Sequence, residues 1–259
     1  MNMKKKIATL GLVAAMLLTS AGATLAYFTD TDSQKNVMTM GKIEISQDEQ
    51  QRDANGGLVD FEQDKPLMPM VDTRTDKQAS PVVNGYFDPA MKNVVDKVIT
   101  VTNEAEEPAD KNNRNYDAYV RTIIAFETAT EYVENTDTVR RGGKEIFNTY
   151  LGTLTTKGFK WLERDTVVVN GTEYVLGVMV YENALKPQEV SVPSLKQIFL
   201  SPDANNEVAI LFGDEYDILA LSQGVQTAGF ESAEEALNEA FGDLETVEET
   251  KLIEWLSAV

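Results

Sequence analysis

Groups of oxygen-bearing side chains are the features of this chain that could do chemistry. Such side chains stand at every second position in two places. The first group is Asp30 and Asp32, and the second is Asp203, Asn205 and Glu207. Carboxylate and amide oxygens are the ligands of Ca²⁺, so either group could hold this cation. Solvated turns or helix caps explain the same residues, and neither group fits the ligand pattern of an EF-hand loop. We keep both as candidate metal ligands and expect that the protein needs no cofactor.

The absence of two residue types excludes most catalytic chemistry. The 259 residues include no histidine and no cysteine. Ser-His-Asp and Cys-His catalysis each need a residue that the chain lacks, and typical catalytic zinc sites use at least one His or Cys ligand. Carboxylate pairs, a Lys or Tyr base, or a metal with oxygen ligands remain. We expect a protein that is not an enzyme and that is stabilised by its core without disulfides.

The charge of the chain restricts its partners. The formal net charge is −19, and 42% of the residues are hydrophobic, enough to form a substantial core. Such a surface repels nucleic-acid phosphates and anionic lipids and favours cations or basic partners. The sequence therefore predicts no nucleic-acid partner.

The first residues have the order of a secretory leader. Three lysines, Lys4–Lys6, precede an apolar run from Ile7 to Leu18, and small residues follow. Basic, apolar and small-residue regions in this order are typical of a signal peptide. The run is shorter than the roughly 20 residues that span a bilayer. We expect a secreted, extracellular or cell-surface protein that touches the membrane only through the uncleaved leader.

The cleavage site is predicted between Ala26 and Tyr27. Thr24 and Ala26 then occupy positions −3 and −1, where small residues are required. Residues 1–26 would be the signal peptide, and their removal takes away three lysines and no acid, leaving a charge near −22. A cut after Ala23 and an uncleaved membrane anchor are the alternatives.

Strand patterns dominate the mature chain. Alternating or apolar segments predict strands at 37–45, 67–71, 94–102, 118–128, 159–162, 166–169, 174–181, 190–200, 208–212 and 216–227. The segment 118–128 is the strongest, and its mixed pattern predicts one face in the core. Asn170-Gly171 between two apolar runs predicts a hairpin. Residues 46–57 and 72–92 are expected to be loops.

Helices are predicted only at the end of the chain. Ser232 and Glu235 fit a capping box, and an apolar stripe follows that Gly242 can end. Thr246 begins a similar pattern before a second short helix. Strands first and helices last predict a mainly β fold, an antiparallel β-sandwich with a small C-terminal helical appendage. The domains would be 27–229 for the sandwich and 230–259 for the helical segment.

Four aromatic side chains could serve as a carbohydrate platform: Trp161, Trp255, Tyr119 and Tyr174. Aromatic residues at strand spacing more commonly belong to the core. We therefore expect them inside the fold.

The start of the mature chain resembles a known family. The junction from Leu25 to Ser33, followed by a Gly-Xaa-hydrophobic-Xaa-hydrophobic strand at 41–45, resembles the TasA and camelysin (CalY) family of Gram-positive bacteria, whose signal peptides are of the SipW-dependent type. The strands at Val101–Asn103 and Asp117–Arg121 are similar to the paired strands of many members. The acidic loop between them departs from the short turn of the family.

This resemblance implies a dedicated signal peptidase, a jelly-roll-like sandwich and a structural role in a biofilm matrix. It also implies fibres in which the N-terminal segment of one subunit completes the sheet of the next, with itself or related matrix subunits as partners. The donated segment would run from Tyr27 to Ile45, through Tyr27, Phe28, Val37, Met38, Met40, Ile43 and Ile45. The alternatives are a monomeric surface adhesin or ligand-binding module and a camelysin-like metalloprotease, although the chain has no HExxH helix.

Overall fold

The computed structural model describes residues 37–40, 43–62, 65–106, 116–129, 132–134, 137–139, 143–212 and 216–258. The predicted signal peptide with Thr24 and Ala26 lies outside these ranges, as do Tyr27, Phe28, Asp30 and Asp32. Within the described ranges, no helix is both long enough and apolar enough to cross a membrane.

Strands make up most of the regular structure. They are β1 (Val37–Met40), β2 (Ile45–Arg52), β3 (Leu58–Asp60), β4 (Val71–Asp72), β5 (Val82–Val83), β6 (Tyr86–Phe87), β7 (Met91–Lys92), β8 (Val95–Asp96), β9 (Val98–Asn103), β10 (Ala118–Glu127), β11 (Tyr132–Glu134), β12 (Asp137–Val139), β13 (Leu151–Thr155), β14 (Phe159–Trp161), β15 (Val167–Val169), β16 (Thr172–Val180), β17 (Leu195–Leu200) and β18 (Ile218–Gln226). The helices are α1 (Lys144–Tyr150), α2 (Asn206–Leu211), α3 (Ala233–Phe241) and α4 (Glu249–Leu256). The expected mainly β architecture is confirmed.

The main sheet is built around β10, the strongest strand pattern of the sequence. Its order is β1-β18-β10-β16-β14, and β15 pairs with the other half of β16. The pairs of β10 with β18 and β16 are antiparallel, whereas β1 joins β18 in parallel. The predicted hairpin is confirmed, since Val169 pairs directly with Thr172 across Asn170 and Gly171, which both have positive φ.

A second layer covers one face of the main sheet. It consists of the sheets β3-β2-β9 and β13-β17-β8. Ser194 N donates to Ile99 O at 2.9 Å and Lys97 N to Lys196 O at 3.0 Å, so backbone hydrogen bonds join the two sheets. Apolar side chains from both layers fill the space between them, with α1 and α2 at its border.

The helices α3 and α4 cover the opposite face of the main sheet. Leu237 and Leu252 are fully buried there, and Trp255 and Phe241 pack edge to face with ring centroids 6.5 Å apart. Ser232 caps α3 by accepting a hydrogen bond from Glu235 N at 3.2 Å, as predicted. The expectation that only one face of β10 is buried is wrong, because the helices shield the second face.

Several local predictions are also wrong, and helix α1 lies in a segment where no helix was expected. Residues 46–52 form strand β2 instead of a loop, and only the turn at 53–57 matches the prediction. The apolar run at 208–212 belongs largely to helix α2. Asn205 caps this helix, and its Oδ1 accepts a hydrogen bond from Val208 N at 2.9 Å. The last helix begins after Glu248 and not after Thr246. Short apolar runs fit either a strand or a helix, and tertiary contacts decide between them.

A substitution at Gly177 tests the packing of the sheet edge. Gly177 pairs with Trp161, and a Cβ at this position would lie 2.2 Å from Phe159 Cζ. Gly177→Ala should therefore lower the free energy of unfolding by about 1–3 kcal/mol, measured in urea. Gly57→Ala is the control, because its Cβ would meet Asp53 Oδ1 at 3.5 Å. Equal stability of the two variants would contradict the packing described.

Candidate assembly edge

Strand β1 forms one edge of the main sheet and carries the described part of the predicted donated segment. Val37, Met38, Thr39 and Met40 pair in parallel with residues 222–225 of β18. This is the one parallel strand pair among the described elements. Strand β1 has only four residues, whereas its partner β18 has nine. An edge strand of this length is held by few backbone hydrogen bonds.

Ile43 and Ile45 differ from β1, because they belong to the core between the layers. They are 7% and 4% exposed, and their side chains contact the backbone of β18 at Gly224. A Cβ on Gly224 would lie 3.0 Å from the Cδ1 atoms of both isoleucines, so glycine is needed for this close approach. Ile45 also begins β2 and pairs with Asn103 of β9. The structure thus separates the predicted segment into an edge strand before Gly41 and core residues after Lys42.

A buried polar chain lies under the start of β1. Ser222, the register partner of Val37, donates to Gln47 Oε1 at 2.7 Å. Gln47 Nε2 donates to Ala220 O at 3.1 Å, and Thr122 Oγ1 lies 2.9 Å from Ser222 Oγ. All these polar side chains are shielded from solvent. Buried polar groups cost free energy when they lose their hydrogen-bond partners. This series of hydrogen bonds therefore fixes the position of β18 relative to β2.

Arg121 fastens helix α3 to the main sheet. Its Nε donates to Gln223 Oε1 at 2.7 Å, and its terminal nitrogens donate to Asn238 Oδ1 and Gly242 O, both at 3.1 Å. The side chain is 2% exposed, and burial lowers the pKa of Arg121 to about 10. The negative charge of Asp243 offsets part of this decrease. Gly242 O lies at the C-terminal end of α3, where the helix dipole favours a cation. Arg121 therefore links α3 to β18, the strand that β1 joins.

Asp48, on the strand β2 that follows β1, lies near two other acidic side chains. Burial, followed by the charges of Glu104 and Asp60, raises the pKa of Asp48 above its ordinary value of 3.8. An acid with a raised folded-state pKa adds stability below its ordinary pKa, and this contribution is lost as the pH rises. Asp48→Asn should therefore increase the free energy of unfolding near neutral pH and change it little at about pH 3. Denaturant titration at both pH values measures this, with the exposed Glu44→Gln as control. An equal gain at both values would contradict the assignment.

The second candidate metal group has a structural explanation. Asn205 caps α2, and Asp203 N donates to Ser201 Oγ at 3.2 Å in the preceding turn. Glu207 lies in the first turn of α2. In the described part of the chain, no three His, Cys, Asp or Glu residues are placed to hold a metal ion. The first group, Asp30 and Asp32, lies outside the described residues.

The four aromatic candidates do not form a common platform. Tyr174 and Trp255 are 3% and 6% exposed, which confirms the core interpretation for both. Tyr119 packs against the core under the helices. The core interpretation is wrong for Trp161, which is 42% exposed, although its ring contacts those of Phe126 and Phe159 with centroids 5.1 and 5.3 Å away.

A cleft of about 950 Å³ opens near the other edge of the main sheet. Its floor includes Val178 and Val180 of β16, and Asn238 of α3 forms part of one wall. Val190 and Val192 stand at its border with more than half of their surfaces exposed. Sequence reasoning missed this cleft, because its walls come from segments far apart in the chain.

No family model, curated protein or solved structure matches this chain.

Proposed function

We propose that this protein is a secreted structural subunit of an extracellular matrix or cell surface, assembling into fibres by strand donation. The single observation that carries this is the parallel edge strand β1, held by four residue pairs beside a nine-residue strand. The acidic composition and the N-terminal pattern after Tyr27 agree with this role. The class is that of the TasA and camelysin proteins, which the junction resembles.

Donation replaces one set of contacts by an identical set from another subunit. When β1 leaves, the outer edge of β18 between Ser222 and Val225 needs a new strand, and β1 of a neighbouring copy fits this register. A head-to-tail exchange that does not close produces an open filament. Before cleavage, the leader would hold the N-terminal segment at the membrane.

The boundary of the donated segment is proposed at Gly41. Removing Ile43 and Ile45 would take two buried side chains from the subunit's own core and shorten β2. Donation of β1 avoids this loss, because in the sequence Gly41 and Lys42 separate Met40 from Ile43.

Electron microscopy of three purified forms tests the proposal. The mature chain from Tyr27 should form fibres, a chain from Gly41 should stay monomeric but folded, and a chain that retains its leader should not assemble. Circular dichroism and urea unfolding verify the fold of the shortened form. Fibres from the chain that begins at Gly41 would overturn donation by this segment.

A monomeric ligand-binding module is the second candidate, and the cleft beside Val190 and Val192 favours it. A mature protein that stays monomeric at every concentration would support this alternative. The metalloprotease alternative has neither the histidines nor, in the described residues, a group of metal ligands in its favour.

A further inference from the structure

Lys97 and Glu49 form an ion pair that is removed from water. Their side chains are 2% and 6% exposed, and Lys97 Nζ is in direct contact with Glu49 Oε2. In the ion pairs Arg52–Asp96, Lys65–Glu62, Arg74–Asp72 and Lys77–Asp72, both side chains are more than one-tenth exposed. The Lys97–Glu49 pair is more deeply buried than these four.

A buried aromatic ring lies beside the pair. The ring of Phe61 lies with its centroid 4.8 Å from Lys97 Nζ, and Phe61 itself is buried. Phe61 N donates to Glu49 O at 3.2 Å, and Glu49 pairs with Ile99 in the β2–β9 ladder. Lys97 N donates to Lys196 O at 3.0 Å. Backbone hydrogen bonds thus hold the main chains of both residues in place, and the burial of both side chains limits their movement.

We propose that Lys97 and Glu49 join in an intramolecular amide bond, a covalent modification of the folded chain. Condensation of a Lys ammonium group with a Glu carboxylate yields an amide and one water molecule, and it removes two charges that are costly in a medium of low polarity. The two reacting groups are already in contact. Fixed contact between two reacting groups corresponds to a very high effective concentration.

The reaction balances without any further reactant. Nζ releases two of the three ammonium protons, its lone pair attacks Glu49 Cδ to form the Nζ–Cδ bond, and one Cδ–O bond breaks. The released oxygen leaves with these two protons as water. Nothing is oxidised or reduced. Exclusion of bulk water from the site then protects the amide from hydrolysis.

The bond would connect β2 to the segment between β8 and β9. It closes a covalent loop from Glu49 to Lys97, so these two residues would stay joined even in a denatured chain. This inference is independent of fibre formation. In a fibre loaded through β1, the bond would stop the load from opening β2, the next strand of the chain.

Intact-protein mass spectrometry of the purified, folded chain tests the proposal. The measured mass should lie below the sequence mass by one water molecule, and digestion should yield one branched peptide containing Lys97 and Glu49. Glu49→Gln should lose ammonia in place of water, because the same amide forms from a carboxamide. Lys97→Met should show the full mass, and Glu62→Ala, in the exposed pair with Lys65, should retain the water loss.

The wild-type measurement decides even if a variant fails to fold. A wild-type mass equal to the sequence mass means that the pair remains an ordinary ion pair, and this overturns the proposal. A water loss that maps to residues other than Lys97 and Glu49 overturns it as well. Neither result bears on fibre formation, so the two proposals fail separately.

Discussion

Mature protein with Met40→Cys and Val225→Cys, oxidised to a disulfide, is expected to remain monomeric under conditions in which the wild type forms fibres. Met40 and Val225 are register partners in the β1–β18 pair. Neighbouring strands are about 4.8 Å apart, which suits the Cα separation of a disulfide. The chain has no natural cysteine, so no other disulfide can form within one molecule. The bond holds β1 on its own β18 and should abolish assembly, as seen by electron microscopy and sedimentation.

Reduction supplies the matched control for this locked form. The reduced double variant should assemble like the wild type, and so should the single variant Met40→Cys. Oxidation after assembly gives a second readout, because donated strands would link different subunits into a ladder of covalent multimers. Fibres from the locked monomer, or only monomers after oxidation of assembled fibres, would contradict strand donation.

Arg121→Met is expected to have the largest effect on stability of any single substitution proposed outside the Lys97–Glu49 pair. The change removes the donor to Gln223, Asn238 and Gly242 O, three acceptors on the sheet and on α3. Hydrogen bonds to a buried charge contribute more than neutral ones, so the loss should be about 2–4 kcal/mol in the free energy of unfolding. Methionine fills part of the volume of the arginine side chain and limits the cavity.

Urea unfolding followed by fluorescence of Trp255 measures this loss, because Trp255 packs in the helix-side core. Lys65→Met is the control, since Lys65 lies in an exposed ion pair and should change stability by less than about 0.5 kcal/mol. A similar effect of both substitutions would mean that Arg121 does not fasten α3. Loss of α3 contacts alone, without a change in global stability, would also contradict the prediction.

Local signals predicted the elements that depend on neighbouring residues. The Asn170-Gly171 turn was predictable because both positions adopt positive φ, which these residues tolerate. The Ser232 cap was predictable because its hydrogen bond reaches only to Glu235. The prediction at 208–212 was wrong because it also used only local signals. A short apolar run has no period long enough to distinguish a strand from a helix.

Contacts between distant residues decided the rest of the candidate site. Nothing in the polar sequence after Ile45 indicates a strand, yet β9 and β18 supply the partners that bury Gln47. The place of Arg121 likewise depends on a helix more than one hundred residues later in the chain. For Arg121, one signal was available in the sequence. A charged residue within an otherwise apolar strand indicates that another element covers the second face of that strand.

The sequence by itself determined the mainly β class, the strong central strand, the hairpin, the capped helix α3 and the exclusion of histidine- and cysteine-based chemistry. These depend on composition and on interactions within a few residues of the chain. Only the tertiary structure decided that β1 runs parallel at a sheet edge, that Ile43 and Ile45 belong to the core, and that Lys97 meets Glu49. The physical reason is that pairing and burial are properties of two surfaces, and a linear pattern describes only one of them at a time.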